Sequence, residues 1–286
     1  MKNHLEIIKK LSLWNGKNIF VKKLSGGRTN FNYIIYDENK KYIARFAPKS
    51  NTLLGLNRKR EIYNTKIVSS MGLGPKVVGF FPKYNLLVVE YIDGNVFSPQ
   101  NSMRQTQIKL LAKLLKKLHS GPKFKGKFNP FKTIRKYISV VKRNKSWLPK
   151  DIDKLLDELH KIEKKIGLLY KTYPCHLDLV IENIISSKNK IKLLDWEYSS
   201  NSDYRFDLAM LSLCGNFSNN HDKLLLKEYS SNNRNLFKQI QMMKAVVLFR
   251  EASWGLLQIA ISPIKLNYKK YATHNLSLFR THYRNL

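Results

Sequence analysis

The stretch His176-Leu177-Asp178-Leu179-Val180-Ile181-Glu182-Asn183, followed by Asp195-Trp196-Glu197, decides the reading of this chain. It sets an acid, an amide and a second acid at spacings of five (178 to 183) and twelve (183 to 195). The first acid and the amide read as one loop, and the second acid follows a short apolar strand, Ile191 to Leu194. Phosphoryl transfer from ATP asks for a carboxylate that orients a hydroxyl nucleophile. It also asks for an amide oxygen and a second carboxylate that hold Mg²⁺ against the phosphates. Asp178, Asn183 and Asp195 are the candidates for these tasks, in that order. A turn explains any one of them alone, but not the ordered set ending on a strand. His176 reads as a loop-orienting residue bonded to backbone rather than as a proton carrier.

Working outward, residues 18 to 46 read as three strands, Asn18 to Leu24, Phe31 to Tyr36 and Lys41 to Phe46, with a polar turn over Asp37-Glu38-Asn39-Lys40. Ser25-Gly26-Gly27-Arg28-Thr29-Asn30 links the first two, and its glycines allow backbone N–H groups to approach phosphate. Gly26, Gly27, Thr29 and Asn30 are therefore nucleotide candidates. Arg45, at the end of the third strand, is a cation for the α and β phosphates, steadied by Glu61 on a helix over Arg58 to Met71. Val77 to Phe81 and Leu86 to Glu90 read as two more strands. Helical periodicity dominates from Gln105 on, with Ile108, Leu111, Leu114, Leu115 and Leu118 forming one stripe. Tyr137 to Lys142, Ile152 to Ile166 and Gln239 to Ile261 are further helices. The expected architecture is α+β and two-lobed: a β-rich lobe over residues 1–91, a hinge near 90–95, and a larger helical lobe over 92–286. A cleft between lobes is a favoured ligand site.

With 286 residues, 43% of them hydrophobic and 12% aromatic, the chain buries a sizeable core and is not a disordered polymer. No apolar run approaches the roughly 20 residues that span a bilayer. The segment Met1 to Trp14 lacks the uninterrupted apolar core of a signal peptide. Two cysteines, Cys175 and Cys214, form no metal-type pair, and a cytoplasmic protein with free thiols is expected. The net charge of +32 raises the question of a nucleic-acid or anionic-surface binder. Lys and Arg are scattered over the whole chain, however, and no nucleic-acid-binding motif accompanies them. A solvated basic surface is the reading, with no specific nucleic-acid partner; the oligomeric state is open.

Several segments together carry a family resemblance: Leu24-Ser-Gly-Gly-Arg-Thr-Asn30, Tyr42-Ile-Ala-Arg-Phe46, Val88-Val-Glu-Tyr-Ile-Asp-Gly94, Cys175 to Asn183, Leu193-Leu-Asp-Trp-Glu-Tyr-Ser-Ser200 and Tyr204-Arg-Phe-Asp-Leu-Ala209. The chain resembles the choline/ethanolamine kinases of bacterial choline kinase type, within the aminoglycoside-phosphotransferase and protein-kinase-like superfamily. The resemblance implies a protein-kinase-like fold, Asp178 as base, Asn183 and Asp195 as Mg²⁺ ligands, and Arg45 in the place usually held by a lysine. Glu90, Tyr91 and Ile92 become a hinge that binds adenine through its backbone, and Asp207 a structural brace under the catalytic loop. Leu177 stands where the aminoglycoside enzymes commonly carry glycine.

The implied reaction is ATP-dependent phosphorylation of the choline hydroxyl, with ethanolamine or thiamine as alternative acceptors. A quaternary ammonium donates no hydrogen bond, so it is held by aromatic faces and a nearby carboxylate. Glu251 and Trp254, three apart on a helix, and the later Tyr271 are the acceptor candidates. Choline kinases carry a Trp-x-x-Trp pair here, and Leu257 departs from it. A basic exterior repels a cationic acceptor, so a locally acidic pocket built from Asp178, Glu197 and Glu251 is expected.

Overall fold

The computed structural model describes residues 2–24, 30–47, 53–167, 171–187, 190–230, 235–262 and 266–286. The chain divides into two compact units, one of Met1–Val96 with Ile184–Tyr198, the other of Phe97–Asn183 with Ser199–Leu286. The segment 184–198, which a single cut near residues 90–95 assigns to the second lobe, is thus part of the first unit.

The first unit is built on an antiparallel sheet of β1 (Ile19–Lys23), β2 (Phe31–Asp37), β3 (Lys40–Phe46), β4 (Val77–Phe81) and β5 (Leu86–Glu90) in the order β1-β2-β3-β5-β4. A two-residue turn with Glu38 at φ +49° closes the β2–β3 hairpin, the left-handed geometry that matches strand twist. Side chains alternate between faces. Tyr33, Ile35, Ala44, Phe46, Leu86 and Val88 fall on one face and bury Ile8, Leu11 and Trp14. Ile8 belongs to α1 (Lys2–Lys9), Leu11 and Trp14 to the turn that follows it. Each fully buried Ile or Leu contributes about 1.5–3 kcal/mol, enough to fix α1 without help from its own short length. Arg45 lies between Ala44 and Phe46 in sequence and therefore points to the opposite face. α2 (Arg58–Ser70) is capped by Asn57, whose side chain accepts from Arg60 N–H.

A second, three-stranded sheet completes this unit: β6 (Asn95–Val96), β8 (Ile184–Ser187) and β9 (Lys190–Leu193), in the order β6-β8-β9. Gly94, just before β6, is required sterically, because a Cβ there would lie 2.2 Å from the Ser186 carbonyl oxygen.

The second unit holds α3 (Pro99–Ser102), α4 (Gln105–His119), α5 (Pro130–Arg143), α6 (Ile152–Ile166), α7 (Arg205–Cys214), α8 (Asn219–Tyr229), α9 (Leu236–Ile261) and α10 (Tyr268–Arg284). A two-stranded ribbon pairs β7 (Tyr173–Cys175) with β10 (Ser200–Ser202). α5 starts seven residues before the expected Tyr137. Its start is marked by the Asn129 side chain, which accepts from Lys132 N–H, and by Pro130 in the first turn, a common helix opening. α9 is apolar around most of its circumference, so it lies buried at the centre, with α5, α7 and α10 packed on it. No helix among the described residues is long and apolar enough to cross a membrane.

Candidate active site

In the second unit, the loop after β7 carries Asp178 in a backbone geometry that local sequence disfavours. Leu177 has φ +68° and is fully buried, a left-handed conformation costing about 1–2 kcal/mol in a residue with a Cβ. Asp207, buried in the first turn of α7, offsets that cost. Its Oδ2 accepts from His176 N–H and its Oδ1 from Leu177 N–H, both at 2.8 Å. His119, the last residue of α4, stands 3.1 Å from Asp207 Oδ2 through Nε2 and 2.9 Å from the Tyr229 hydroxyl through Nδ1. His119 and Tyr229 escape a sequence reading, since the only local signal is a histidine ending an apolar stripe. Cys175 lies beside them, within a 4.8 Å cluster of the His119, Cys175 and Asp207 donor atoms. Burial first, and then the charges of Asp207 and Asp203, push the Cys175 thiol well up, so it stays protonated. With both histidine nitrogens and both Asp207 oxygens engaged, the cluster acts as a brace.

Next to this brace, His176 Nδ1 accepts from Asp178 N–H at 3.2 Å, a bond from the ring to the loop backbone. Asn183, ending a short 3₁₀ turn over Ile181–Asn183, donates through Nδ2 to Asp178 O at 2.9 Å and to Asp178 Oδ2 at 3.3 Å. The amide nitrogen is thereby turned to Asp178, and the amide oxygen is directed away as an acceptor.

In the first unit Asp195 follows β9 at φ +60°. That turn is pinned on both sides. Leu193 N–H donates to Leu73 O at 2.8 Å, and Trp196, fully buried, donates from Nε1 to Leu193 O at 3.0 Å. Gly74 makes room for the indole, for a Cβ there would sit 2.8 Å from Trp196 Nε1. Asp195 Oδ1 receives Arg45 Nη2 at 2.5 Å. Arg45 also lies 3.4 Å from Glu61 and 3.7 Å from Glu197. Burial works against the guanidinium charge, but Asp195, Glu61 and Glu197 together raise its pKa above the ordinary arginine range.

Glu197, expected near a cationic acceptor, is bonded within this same network. Its carboxylate accepts from Asn30 Nδ2 at 2.6 Å, and its carbonyl from Arg60 Nη2 at 3.4 Å. Burial, with the neighbouring Asp195 and Glu61 charges and against the pull of Arg45, pushes its carboxyl up to about 7. Arg58 ties the net together by pairing with Glu61 and donating to Asn30 Oδ1 at 3.2 Å. The structure thus joins Asn30, Arg45, Glu61, Asp195 and Glu197, and adds Arg58 and Arg60, which no motif spacing singles out. Gly26, Gly27 and Thr29 lie outside the described residues. In the expected hinge, Glu90 N–H donates to Lys76 O at 2.9 Å and Tyr91 N–H to Lys41 O at 3.0 Å. Those two donors serve the fold.

The remaining acceptor candidates meet on α9 and α10. Tyr271 donates its hydroxyl to Glu251 Oε2 at 2.6 Å, and its ring stands edge-on to Trp254 with centroids 5.7 Å apart. Arg250, almost fully buried, pairs with Glu251 Oε1. Tyr268 also packs edge-on against Trp254, with centroids 5.9 Å apart, an aromatic that the family pattern does not single out. Leu257 is fully buried, so the aromatic character of this wall comes from Trp254, Tyr268 and Tyr271. Cys214, at the end of α7, has its thiol pushed up by burial and then by the charges of Glu251, Asp178 and Glu182.

The comparisons with known proteins agree with one another. The family described as choline/ethanolamine kinase matches residues 21–221. The choline kinase LicA from Streptococcus pneumoniae superposes with a TM-score of 0.85 at 27% identity, covering 99% of this chain and 100% of that one. The LicA protein of Haemophilus influenzae is 28% identical over 211 residues, 71% of this chain and 61% of that protein. A probable ethanolamine kinase of Dictyostelium discoideum is 26% identical over 202 residues, 64% of this chain and 57% of that protein. The matched segments span about three fifths of the length of these two curated relatives.

Proposed function

We propose that this chain, which belongs to the choline/ethanolamine kinase family, transfers the γ-phosphoryl group of ATP to the hydroxyl of choline in the cytoplasm. The observation that carries the reading is the clamped loop. Asp207 fixes a left-handed Leu177, so Asp178 is presented at a set position with the Asn183 amide locked onto it. Asp178 accepts the hydroxyl proton as the oxygen attacks phosphorus, and ADP leaves with the electron pair of the broken P–O bond.

Each proposed donor suits Mg²⁺ by its own chemistry. Asn183 offers an amide oxygen and Asp195 a carboxylate with one oxygen on Arg45, and hard oxygen ligands suit this ion. Mg²⁺, when bound, neutralises phosphate charge. Arg45 holds the Asp195 carboxylate in one orientation, and its own charge is secured by Glu61 and Glu197. Whatever reaches the α and β phosphates from Arg45 does so from a side chain already anchored.

Choline is favoured over ethanolamine by the state of Glu251. One of its oxygens faces Arg250 and the other the Tyr271 hydroxyl. A primary ammonium brings three N–H donors that need acceptors on burial, whereas a quaternary ammonium needs only faces and a diffuse negative field. Trp254 and Tyr271 supply the faces. Ethanolamine remains the runner-up through the Dictyostelium relative, and thiamine through its own cationic ring and aliphatic hydroxyl. ADP release with choline, ethanolamine, thiamine and an aminoglycoside tests this. Choline is expected to show the highest kcat/KM, by about tenfold or more over ethanolamine, as loss of one well-matched contact is worth 1–3 kcal/mol. Equal or better turnover of another acceptor overturns the choline reading.

Gly255 offers a second test. A Cβ at this position would lie 3.1 Å from both Tyr271 Cδ1 and Ala272 Cβ, so the glycine sets how closely α10 approaches Trp254 and Glu251. Gly255→Ala is expected to raise the choline KM by about three- to tenfold, since sub-ångström misplacement of a positioning group is felt strongly. The KM for ATP stays unchanged. Adding Ala272→Gly relieves the contact with Ala272 Cβ but not that with Tyr271, and is expected to return part of the KM. A choline KM that does not move removes Tyr271 from the acceptor site.

A further inference from the structure

The cations of this chain are spread throughout, but its acids are not. Residues 97–150 contain fifteen Lys or Arg and no Asp or Glu. Part of that charge is met by acids of neighbouring helices. Arg135 pairs with Glu163 and Lys142 with Asp153, both on α6, and Lys109 faces Glu228 of α8 at 3.6 Å. Further lysines are exposed on α4 and on the loop that leaves it.

On α4 the buried stripe of Ile108, Leu111, Leu115 and Leu118 turns the opposite side outward, and Leu110, Lys113, Lys116 and Lys117 are exposed there. Leu110 and Lys113, three apart, and Lys113 and Lys117, four apart, are neighbours along one row. The helix then runs into Pro122–Phe128, where Lys123, Lys125 and Lys127 are exposed around the buried Phe124. This segment is held rigid by one residue, Asn201. Its side chain accepts from Phe124 N–H at 2.9 Å and donates to Phe124 O and to Gly126 O. Its backbone N–H donates to Gly126 O at 3.1 Å, and its carbonyl accepts from Phe128 N–H at 2.9 Å. The three lysines are therefore displayed on a fixed scaffold, so less ordering entropy opposes binding.

We propose that this face docks the protein on an anionic lipid surface. A cluster of four to eight Lys or Arg on an amphipathic helix gains about 1 kcal/mol per cation at such a surface. Leu110, 42% exposed in the row of lysines, is the only large exposed apolar side chain of residues 97–150, and an aliphatic residue among cations suits the headgroup boundary. A single-stranded nucleic acid would instead use exposed aromatic platforms, and this face displays none.

The test is co-sedimentation of the intact protein with vesicles of mixed phosphatidylglycerol and phosphatidylcholine, against vesicles of phosphatidylcholine alone. Two variants carry the same change in net charge, from +32 to +28: Lys113, Lys116, Lys123 and Lys127→Gln on the proposed face, and Lys154, Lys161, Lys164 and Lys165→Gln on α6. At about fivefold per lysine, the first set is expected to weaken partitioning on the order of several hundredfold. The second is expected to change it far less. Leu110→Asp lowers it further, and all variants retain choline phosphorylation and their unfolding midpoint. Equal loss in both sets overturns the proposal, as does equal binding to neutral vesicles. Absence of vesicle binding also overturns it, including the case in which these lysines instead bind RNA homopolymers in the same buffer.

Discussion

Asp178→Asn is expected to lower kcat by about 10²- to 10⁴-fold, the range supplied by a positioned general base, while ATP affinity stays near that of the parent chain. The substitution is nearly isosteric. It keeps Asp178 N–H on His176 and the backbone carbonyl on Asn183, so the loop retains its shape. What is lost is a carboxylate oxygen able to take a proton and a charge beside Asn183. Single-turnover measurement separates the two effects, because a base acts on the chemical step and a binding residue on KM. A variant with wild-type kcat removes Asp178 from the reaction. The loop itself is checked by Asp207→Asn, which replaces one accepting oxygen with a donor facing a backbone N–H and disturbs stability and kcat together.

Arg45→Met is expected to destabilise the first unit by about 3–5 kcal/mol, the cost of removing one partner from a buried ionic cluster. Three carboxylates, of Asp195, Glu61 and Glu197, lose the cation they share. Urea unfolding followed by tryptophan fluorescence reads the loss, with Trp14 and Trp196 both buried in that unit. Arg45→Lys restores the charge but not the planar fork that meets several carboxylates at once, and should recover only part of the stability. Arg45→Met combined with Glu197→Gln should cost less than the sum of the two single changes, because the pair interacts directly. Simple additivity would show that Glu197 is not held by Arg45.

The five strands of the first sheet were legible because their signal is local. Val77–Phe81 and Leu86–Glu90 carry their own apolar runs and are bounded by glycine, proline and asparagine. The start of α5 was harder, since Pro130 and the Asn129 cap sit next to a lysine-rich loop that resembles a longer linker. The reach of α9 and the existence of α10 depend on one another, for each buries the apolar face of the other.

The proposed reacting set is one that the sequence alone singles out. Asp178, Asn183 and Asp195 are spaced by chemistry, and a carboxylate, an amide and a carboxylate in that order have few other uses. The residues around them are not singled out in this way. Glu197, two positions from Asp195, reads as one more acid for a cationic acceptor, yet its bonds run to Asn30, 167 residues away, and to Arg45. The wall acid Glu251 is quenched by its own neighbour Arg250 and by Tyr271, 20 residues on, and nothing in their spacing announces it.

By itself the sequence determined the kind of reaction and the family, because phosphoryl transfer needs fixed residue types at short, ordered separations and those lie within single loops and hairpins. Only the tertiary structure decided which partners each acid meets, Glu197 with Asn30 and Arg45, Glu251 with Arg250 and Tyr271, and what holds Leu177 in a left-handed turn. Hydrogen bonds and ion pairs are made over about 3 Å in space whatever the distance along the chain, so a charge acquires its role from the partners that folding brings to it.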